Sequence, residues 1–348
     1  MSSTHKKNDN PSDKLKIPRL TRTRSAGDRL KDAASQPPIV KLFGVFFHSG
    51  ELAILFADTG VGKSICAVGA GNAIASGSSY MGLPNEAQEQ VVLYYDYELS
   101  DKQFEKRYSD EDGNLYEFSE NFRIADMSNV SYDPKCKISF DKILFDNIGR
   151  DIEETNAKVL VLDNLTFITS QPMQKQDVAM EIMKQLIQLK DKYGISILVL
   201  AHTPKIDNFT PINLSQLSGA KHISNFADSV FSIGKSCINP SYRYFIQVKA
   251  RNAEIVYGAG NVIVAELVKK GNCLTFEFVG HDPEWKHLEK KPNANKDLKG
   301  QAVNLYKEGK NIVEVAELLG RGKSTIGRWV KDSKQSIVEK SVIEVCQN

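Results

Sequence analysis

The chain is 348 residues long and 41% apolar, and its 45 Lys and Arg against 43 Asp and Glu leave a net charge of +2. This length allows one substantial domain plus a smaller one, and a balance so close to neutral selects no class of partner by itself. No apolar run approaches the roughly 18 residues that span a bilayer, the N-terminus lacks a secretory apolar stretch, and Asp9, Asp13, Asp28 and Asp32 argue against an organellar transit peptide, so a cytoplasmic protein without membrane contact is expected.

Residues 1–38 are polar, aperiodic and end in two prolines, which predicts a disordered arm. The arm holds nine Lys and Arg against four Asp, an excess that solubility and a nucleic-acid contact explain equally well. From Leu42 to about Gly280, strand-like and helix-like patterns alternate: "ELAILFA", "SICAVGAGNAIA", "QVVLYYDY", "SDKQFEKRY", "FRIAD", "KILFDNIGRDIEE", "KVLVLD", "DVAMEIMKQLIQLKDKYG" and "SILVLAH". That order predicts an α/β domain with a largely parallel sheet covered by helices, and "YRYFIQVKAR" and "NCLTFEFVG" read as antiparallel additions. "EWKHLEKKPNANK" then opens a charged linker ahead of three short helices, in a region where residues 286–332 hold eleven Lys and Arg against six acids. The expected division is an arm over 1–38, an α/β domain over 39–282, a linker over 283–296, a small all-α domain over 297–333 and a tail over 334–348. Five cysteines, Cys66, Cys136, Cys237, Cys273 and Cys346, are far apart and form no Cys-x-x-Cys, so neither a zinc site nor a disulfide framework is indicated.

Two stretches, "LFADTGVGKSIC" and "LLGRGKSTIG", share a Gly-x-Gly-Lys-Ser core. A Gly-rich loop cradles phosphate only where it leaves a buried strand and enters a helix, because its N–H groups must converge on the anion at the helix N-terminus. The first copy follows "GELAILFA" and precedes a small, apolar helix, so it has that context. The second follows "NIVEVAELL", whose Ile312, Val315, Ala316 and Leu319 recur at helical spacing, so it reads as the turn between two helices. In the first copy Asp58, Thr59, Gly60, Val61 and Gly62 form the loop, Lys63 reaches terminal phosphates and Ser64 offers a hydroxyl to Mg²⁺. Ala57 stands where the motif asks for Gly. "KVLVLDNL" supplies Asp163 at the end of a buried strand, the place of a carboxylate that holds the Mg²⁺ water shell. Asn164 follows it and cannot act as a base, which leaves Glu98, just past "VVLYYDYE", as the candidate base and Asp96 as its alternative.

"GELAILFADTGVGKS", "VLYYDYELSDKQFEKR", "KVLVLDNL", "ILVLAHTPK" and "FIQVKARN" stand in the order of the RecA-like ATPases, and the stretch from Leu42 to Gly280 most resembles the RepA-type replicative helicases of plasmids and mobile elements. The resemblance implies a RecA-like P-loop core with ATP and Mg²⁺ as ligands, Glu98 as catalytic glutamate, and His202 as a polar sensor of the terminal phosphate. It also implies that Lys249 and Arg251 reach the ATP site of the next subunit in a homo-oligomeric ring, and that "TPKIDNFTPINLSQLSGAKHI", with Lys205, Lys221 and His222, faces single-stranded DNA in a channel. "KGQAVNLYKEGKNIVEVAELLGRGKSTIGRWVKD" resembles the helix-turn-helix of resolvases. Lys323, Ser324, Thr325 and Arg328 are its DNA-binding candidates, with Ile326 and Trp329 turned inward. The implied activity is an ATP-driven DNA motor. A DNA-bound regulatory or loader ATPase and a nucleotide-sensing transcription regulator are the alternatives.

Overall fold

All six residues of Leu52–Ala57 are apolar and buried, the mark of a strand covered on both faces inside a parallel sheet. In the computed structural model, which describes residues 21–126, 138–168, 176–203, 207–217, 223–290 and 294–333, this run is strand β3. It follows a short ribbon of β1 (Lys41–Phe43) and β2 (Phe47–His48). The later strands are β4 (Val92–Asp96), β5 (Phe122–Asp126), β6 (Val159–Asp163), β7 (Ser196–His202), β8 (Ser229–Lys235), β9 (Tyr242–Ala250), β10 (Val262–Lys270) and β11 (Cys273–Asp282). Together with β3 they form one nine-stranded sheet in the order β11-β10-β9-β8-β3-β7-β6-β4-β5. The six strands from β8 to β5 are mutually parallel, and β9, β10 and β11 are added antiparallel. The fold is therefore the expected mainly parallel α/β core.

Alternation along the strands sends side chains to two separate cores. Ala53, Leu55, Tyr94, Val161 and Leu200 meet helix α2 (Lys63–Ala75) on one face. Ile54, Phe56, Leu93, Leu162 and Val199 meet α4 (Phe140–Thr155) and α5 (Gln176–Tyr193) on the other. Helix α3 (Asp101–Arg107) follows β4 and opens with a Ser100–Gln103 capping box. Parallel strands bring the C-terminal ends of β3, β4, β6 and β7 to one edge, where such sheets bind ligands.

The C-terminal unit has its own core. Helices α6 (Ala294–Lys307), α7 (Ile312–Leu318) and α8 (residues 323–333) bury Ala302, Val315, Ala316, Ile326, Trp329 and Val330 together. Asn311 caps α7 and Glu314 closes the box back onto the Asn311 N–H. Gly320, at φ 59°, makes the turn that follows. Among the described residues no helix is long and apolar enough to cross a membrane.

Three expectations change. The arm is helical over Ala26–Ala34 (α1), with Ser25 accepting from the Asp28 N–H. This helix buries nothing, so cap and propensity form it rather than packing. Residues 1–20 and the tail from 334 lie outside the described residues. Strands β8 and β10 were not expected. Ser229 and Ser232 interrupt the apolar run of β8 because they donate inward, to Glu51 Oε2 at 2.9 Å and to the Phe56 carbonyl at 2.6 Å, and the Ala, Glu, Leu and Lys of β10 are helix formers. The linker expected from residue 283 begins as part of the sheet domain: buried Glu284 accepts from the Ile212 N–H at 2.7 Å and buried His287 lies 2.8 Å from Ser236 Oγ.

Candidate nucleotide site

The loop from Ala57 to Ser64 joins β3 to α2 at the C-terminal edge of the sheet. Gly60 and Gly62 have φ of 71° and 112°, values that L side chains rarely adopt, and Gly62 is the N-cap of α2. A Cβ on Gly62 would lie 2.6 Å from Phe276 Cζ, so both conformation and space require glycine there. Lys63 is 6% exposed and donates to the carbonyls of Ala57 at 2.8 Å and Asp58 at 3.1 Å, with His202 Nδ1 3.2 Å away. Burial lowers its pKa, and the charges of Asp163, Glu98 and Asp58 oppose that shift. Asp58 and Thr59 lie at the outer turn of the loop, the Thr59 N–H donating to Asp58 Oδ1 at 2.7 Å, while Val61 is buried.

Asp163 ends β6 at 2% exposure. Burial pushes its carboxyl up to about 6, against hydrogen bonds from the Ser64 hydroxyl and from Tyr94 Oη, the latter at 2.7 Å. A buried carboxylate held against the loop hydroxyl is short of positive charge. Its oxygen donors, together with Ser64 Oγ, suit a hard cation such as Mg²⁺.

Glu98, two residues past β4, is brought to the same place. Its Oε1 is 3.2 Å from His202 Nε2 and accepts a hydrogen bond from Asn164 Nδ2. The His202 hydrogen bond, with that residue's charge, Lys63 and Asn164 adding to it, holds the Glu98 carboxyl below its ordinary value despite partial burial. His202 Nδ1 faces Lys63 Nζ, and its Nε2 lies against both Glu98 Oε1 and, at 2.8 Å, Asn164 Nδ2, so the ring links the lysine to the carboxylate. Lys63, His202, Glu98 and Asn164 thus form one connected group across the ends of β3, β7, β4 and β6. Asp96, the alternative base, is engaged by the backbone: its Oδ1 accepts from the N–H groups of Glu98 and Leu99, both at 3.0 Å, and it fixes the turn that carries Glu98.

Lys249 and Arg251 lie elsewhere. Lys249 pairs with Val230 at the start of β8, and Val230 stands beside Ile54 near the start of β3, so the pair sits at the end of the sheet opposite its own phosphate loop. Lys249 Nζ donates to the carbonyls of Ser224 at 2.7 Å and Ala227 at 2.8 Å. Arg251 donates to Asp228 Oδ1 at 3.0 Å and to the Asn225 carbonyl at 2.9 Å. In the helical unit Lys323, Ser324 and Arg328 are exposed, Thr325 is half-buried, and Ile326 and Trp329 point into the core. Lys205, Lys221 and His222 lie outside the described residues.

The sequence profile of the AAA domain matches residues 18–208, more than half the chain, and that of the homeodomain-like domain matches residues 293–336. This chain belongs to the AAA-domain family. Its P-loop ATPase fold is joined to a C-terminal helix-turn-helix. No curated protein matches it in sequence. Among solved structures it is similar to a KaiC-like protein from the hyperthermophilic archaeon Pyrococcus horikoshii OT3, at 15% identity and a TM-score of 0.47, over 70% of this chain and 100% of that one. Tyr94, which donates to Asp163, escaped the sequence reading, and Asn164, weighed there only as a residue that cannot act as a base, holds Glu98 instead. Arg243, a charge inside the apolar run "YRYFIQVK", carried a visible signal in its pattern, and its Nε donates to the Val61 carbonyl of the loop.

Proposed function

We propose that this ATPase hydrolyses ATP as a ring-forming motor on DNA, of the kind that serves replication of a plasmid or other mobile element. The observation that carries turnover is the placement of Glu98, ionised and hydrogen-bonded to His202 and Asn164, across the site from Lys63. In this arrangement all three Lys63 donors are taken by two carbonyls and His202. A terminal phosphate draws Lys63 outward, which frees the His202 ring and with it the Glu98 carboxylate to take a proton from the attacking water. Ser64 and, through water, Asp163 would hold Mg²⁺, which would supply positive charge to the terminal phosphates. Tyr94 keeps the Asp163 carboxylate aimed at the loop.

The position of Lys249 and Arg251 supports a shared site. At the far end of the sheet they cannot serve their own nucleotide, so any phosphate they meet belongs to another copy, where a guanidinium stabilises charge on the transferred group. A second reading, a DNA-bound regulatory or loader ATPase, draws on the same pair, because both side chains are already engaged by carbonyls and by Asp228 of their own chain. Mixing a Lys63→Ala chain with an Arg251→Ala chain tests between them. Partial recovery of the activity that each lacks alone, together with ATP-dependent unwinding of a forked duplex by the unmutated protein, supports the ring motor. Turnover independent of concentration in a proven monomer supports the regulatory ATPase.

A further inference from the structure

Among the described residues only two Lys or Arg side chains are buried, Lys63 and Arg243. Lys63 is accounted for by the phosphate loop. Arg243 stands near the start of β9, 8% exposed, and no carboxylate among the described residues pairs with it. Burial pulls its pKa down. Its donors go to three carbonyls: Nη1 to Pro240 at 2.7 Å and Tyr242 at 2.8 Å, and Nε to Val61, inside the phosphate loop, at 3.0 Å.

The Val61 carbonyl shares its peptide plane with the Gly62 N–H, and in a trans peptide the two point in opposite directions. Fixing the carbonyl toward β9 therefore fixes the Gly62 N–H toward the other side, where an anion at the N-terminus of α2 would be met. Phe276 of β11 closes the same outer side, its ring packed where a Gly62 side chain would stand. The antiparallel strands thus back the loop with a hydrogen bond and a ring. The hydrogen bond comes from a charged donor, which makes it stronger than one from a neutral group.

We infer that Arg243 is a positioning residue for the nucleotide phosphates, aiming the Gly62 N–H into the cradle by holding the Val61 carbonyl from behind. The inference rests on the nucleotide reading of the loop. Calorimetric titration of the full-length protein with Mg²⁺ and ADP tests it, comparing the unmutated chain with Arg243→Gln and Arg243→Lys. Arg243→Gln is expected to weaken ADP by roughly tenfold or more, the size of a charge-assisted hydrogen bond, at an unchanged stoichiometry per chain. Arg243→Lys, which keeps the charge, recovers part of that loss. A merely structural role would instead lower the stoichiometry and leave the affinity of the surviving sites intact, and that result overturns the inference. An Arg243→Lys chain no tighter than Arg243→Gln overturns it too. If Arg243→Gln does not fold, the lysine variant carries the test, with an affinity equal to that of the unmutated chain as the contrary result. Failure of the unmutated chain to bind ADP would defeat the nucleotide reading itself and is seen first.

Discussion

Gly60-Val61-Gly62-Lys63-Ser64 and Gly320-Arg321-Gly322-Lys323-Ser324 are the same motif in two settings. The first leaves a strand buried on both faces and enters α2; Lys63 is buried against backbone carbonyls and the ends of three neighbouring strands converge on it. The second leaves α7, turns at Gly320 and enters α8, where Lys323 and Ser324 are exposed and the unit's core among the described residues is packed from helices alone. A phosphate site therefore needs more than glycines and a lysine. It needs a sheet edge that delivers Asp163, Glu98 and His202 to the same point, and among the described residues the second copy has none.

Glycine replacement separates the settings most sharply. Gly62→Ala puts a methyl 2.6 Å from Phe276 at a φ of 112°, and nucleotide binding measured by titration should fall by roughly 10² or more. Gly320→Ala meets nothing within 4 Å, so its cost is the left-handed backbone alone, about 1–2 kcal/mol of stability in the helical unit, with nucleotide affinity unchanged. Equal losses of nucleotide binding in both would erase the distinction. A change at the carboxylate that the first setting gathers comes next. Glu98→Gln should keep Mg²⁺-dependent ATP binding and lose hydrolysis by roughly 10², the scale of a removed general base, in a single-turnover assay. Asp96→Asn, which acts on the turn, should cost less.

The smallest effect is the pH dependence of stability that Asp163 sets. Its carboxyl is raised from 3.8 to about 6, so the folded chain holds a proton that the unfolded chain releases between those values. Stability without nucleotide is highest below the ordinary value, falls as pH rises from 3.8 through about 6, and is level above that. Asp163→Asn removes this fall. In thermal unfolding without nucleotide, the unmutated chain should lose about 1 kcal/mol more than Asp163→Asn between about pH 5 and pH 8. The same variant should lose Mg²⁺-dependent nucleotide binding.

What the sequence made legible follows from which forces are local. Strand β3 and its loop could be read because a parallel strand writes its burial as an unbroken apolar run. The helix-turn-helix could be read because its core residues recur at helical spacing. Strand β8 could not, since Ser229 and Ser232 satisfy partners about 180 residues away in sequence. Of the site, Asp163 and Glu98 stand at strand ends that pattern alone suggests. The role of Asn164 as the bridge between β6 and Glu98 depends on a register that only the sheet sets: Asp96 opposite Asp163. Arg243 was visible as a charge in an apolar strand, but its target, a carbonyl 182 positions away, was not.

The central claim, that one copy of the motif holds nucleotide and the other serves the helix-turn-helix, is tested most directly by Lys63→Ala and Lys323→Ala assayed side by side for ATP turnover and for duplex DNA affinity at fixed salt. Lys63→Ala should abolish turnover and leave duplex affinity intact. Lys323→Ala should keep turnover and weaken DNA, with a shallower salt dependence from the loss of one phosphate contact. Normal turnover in Lys63→Ala, or turnover lost in Lys323→Ala with DNA affinity unchanged, would contradict the account.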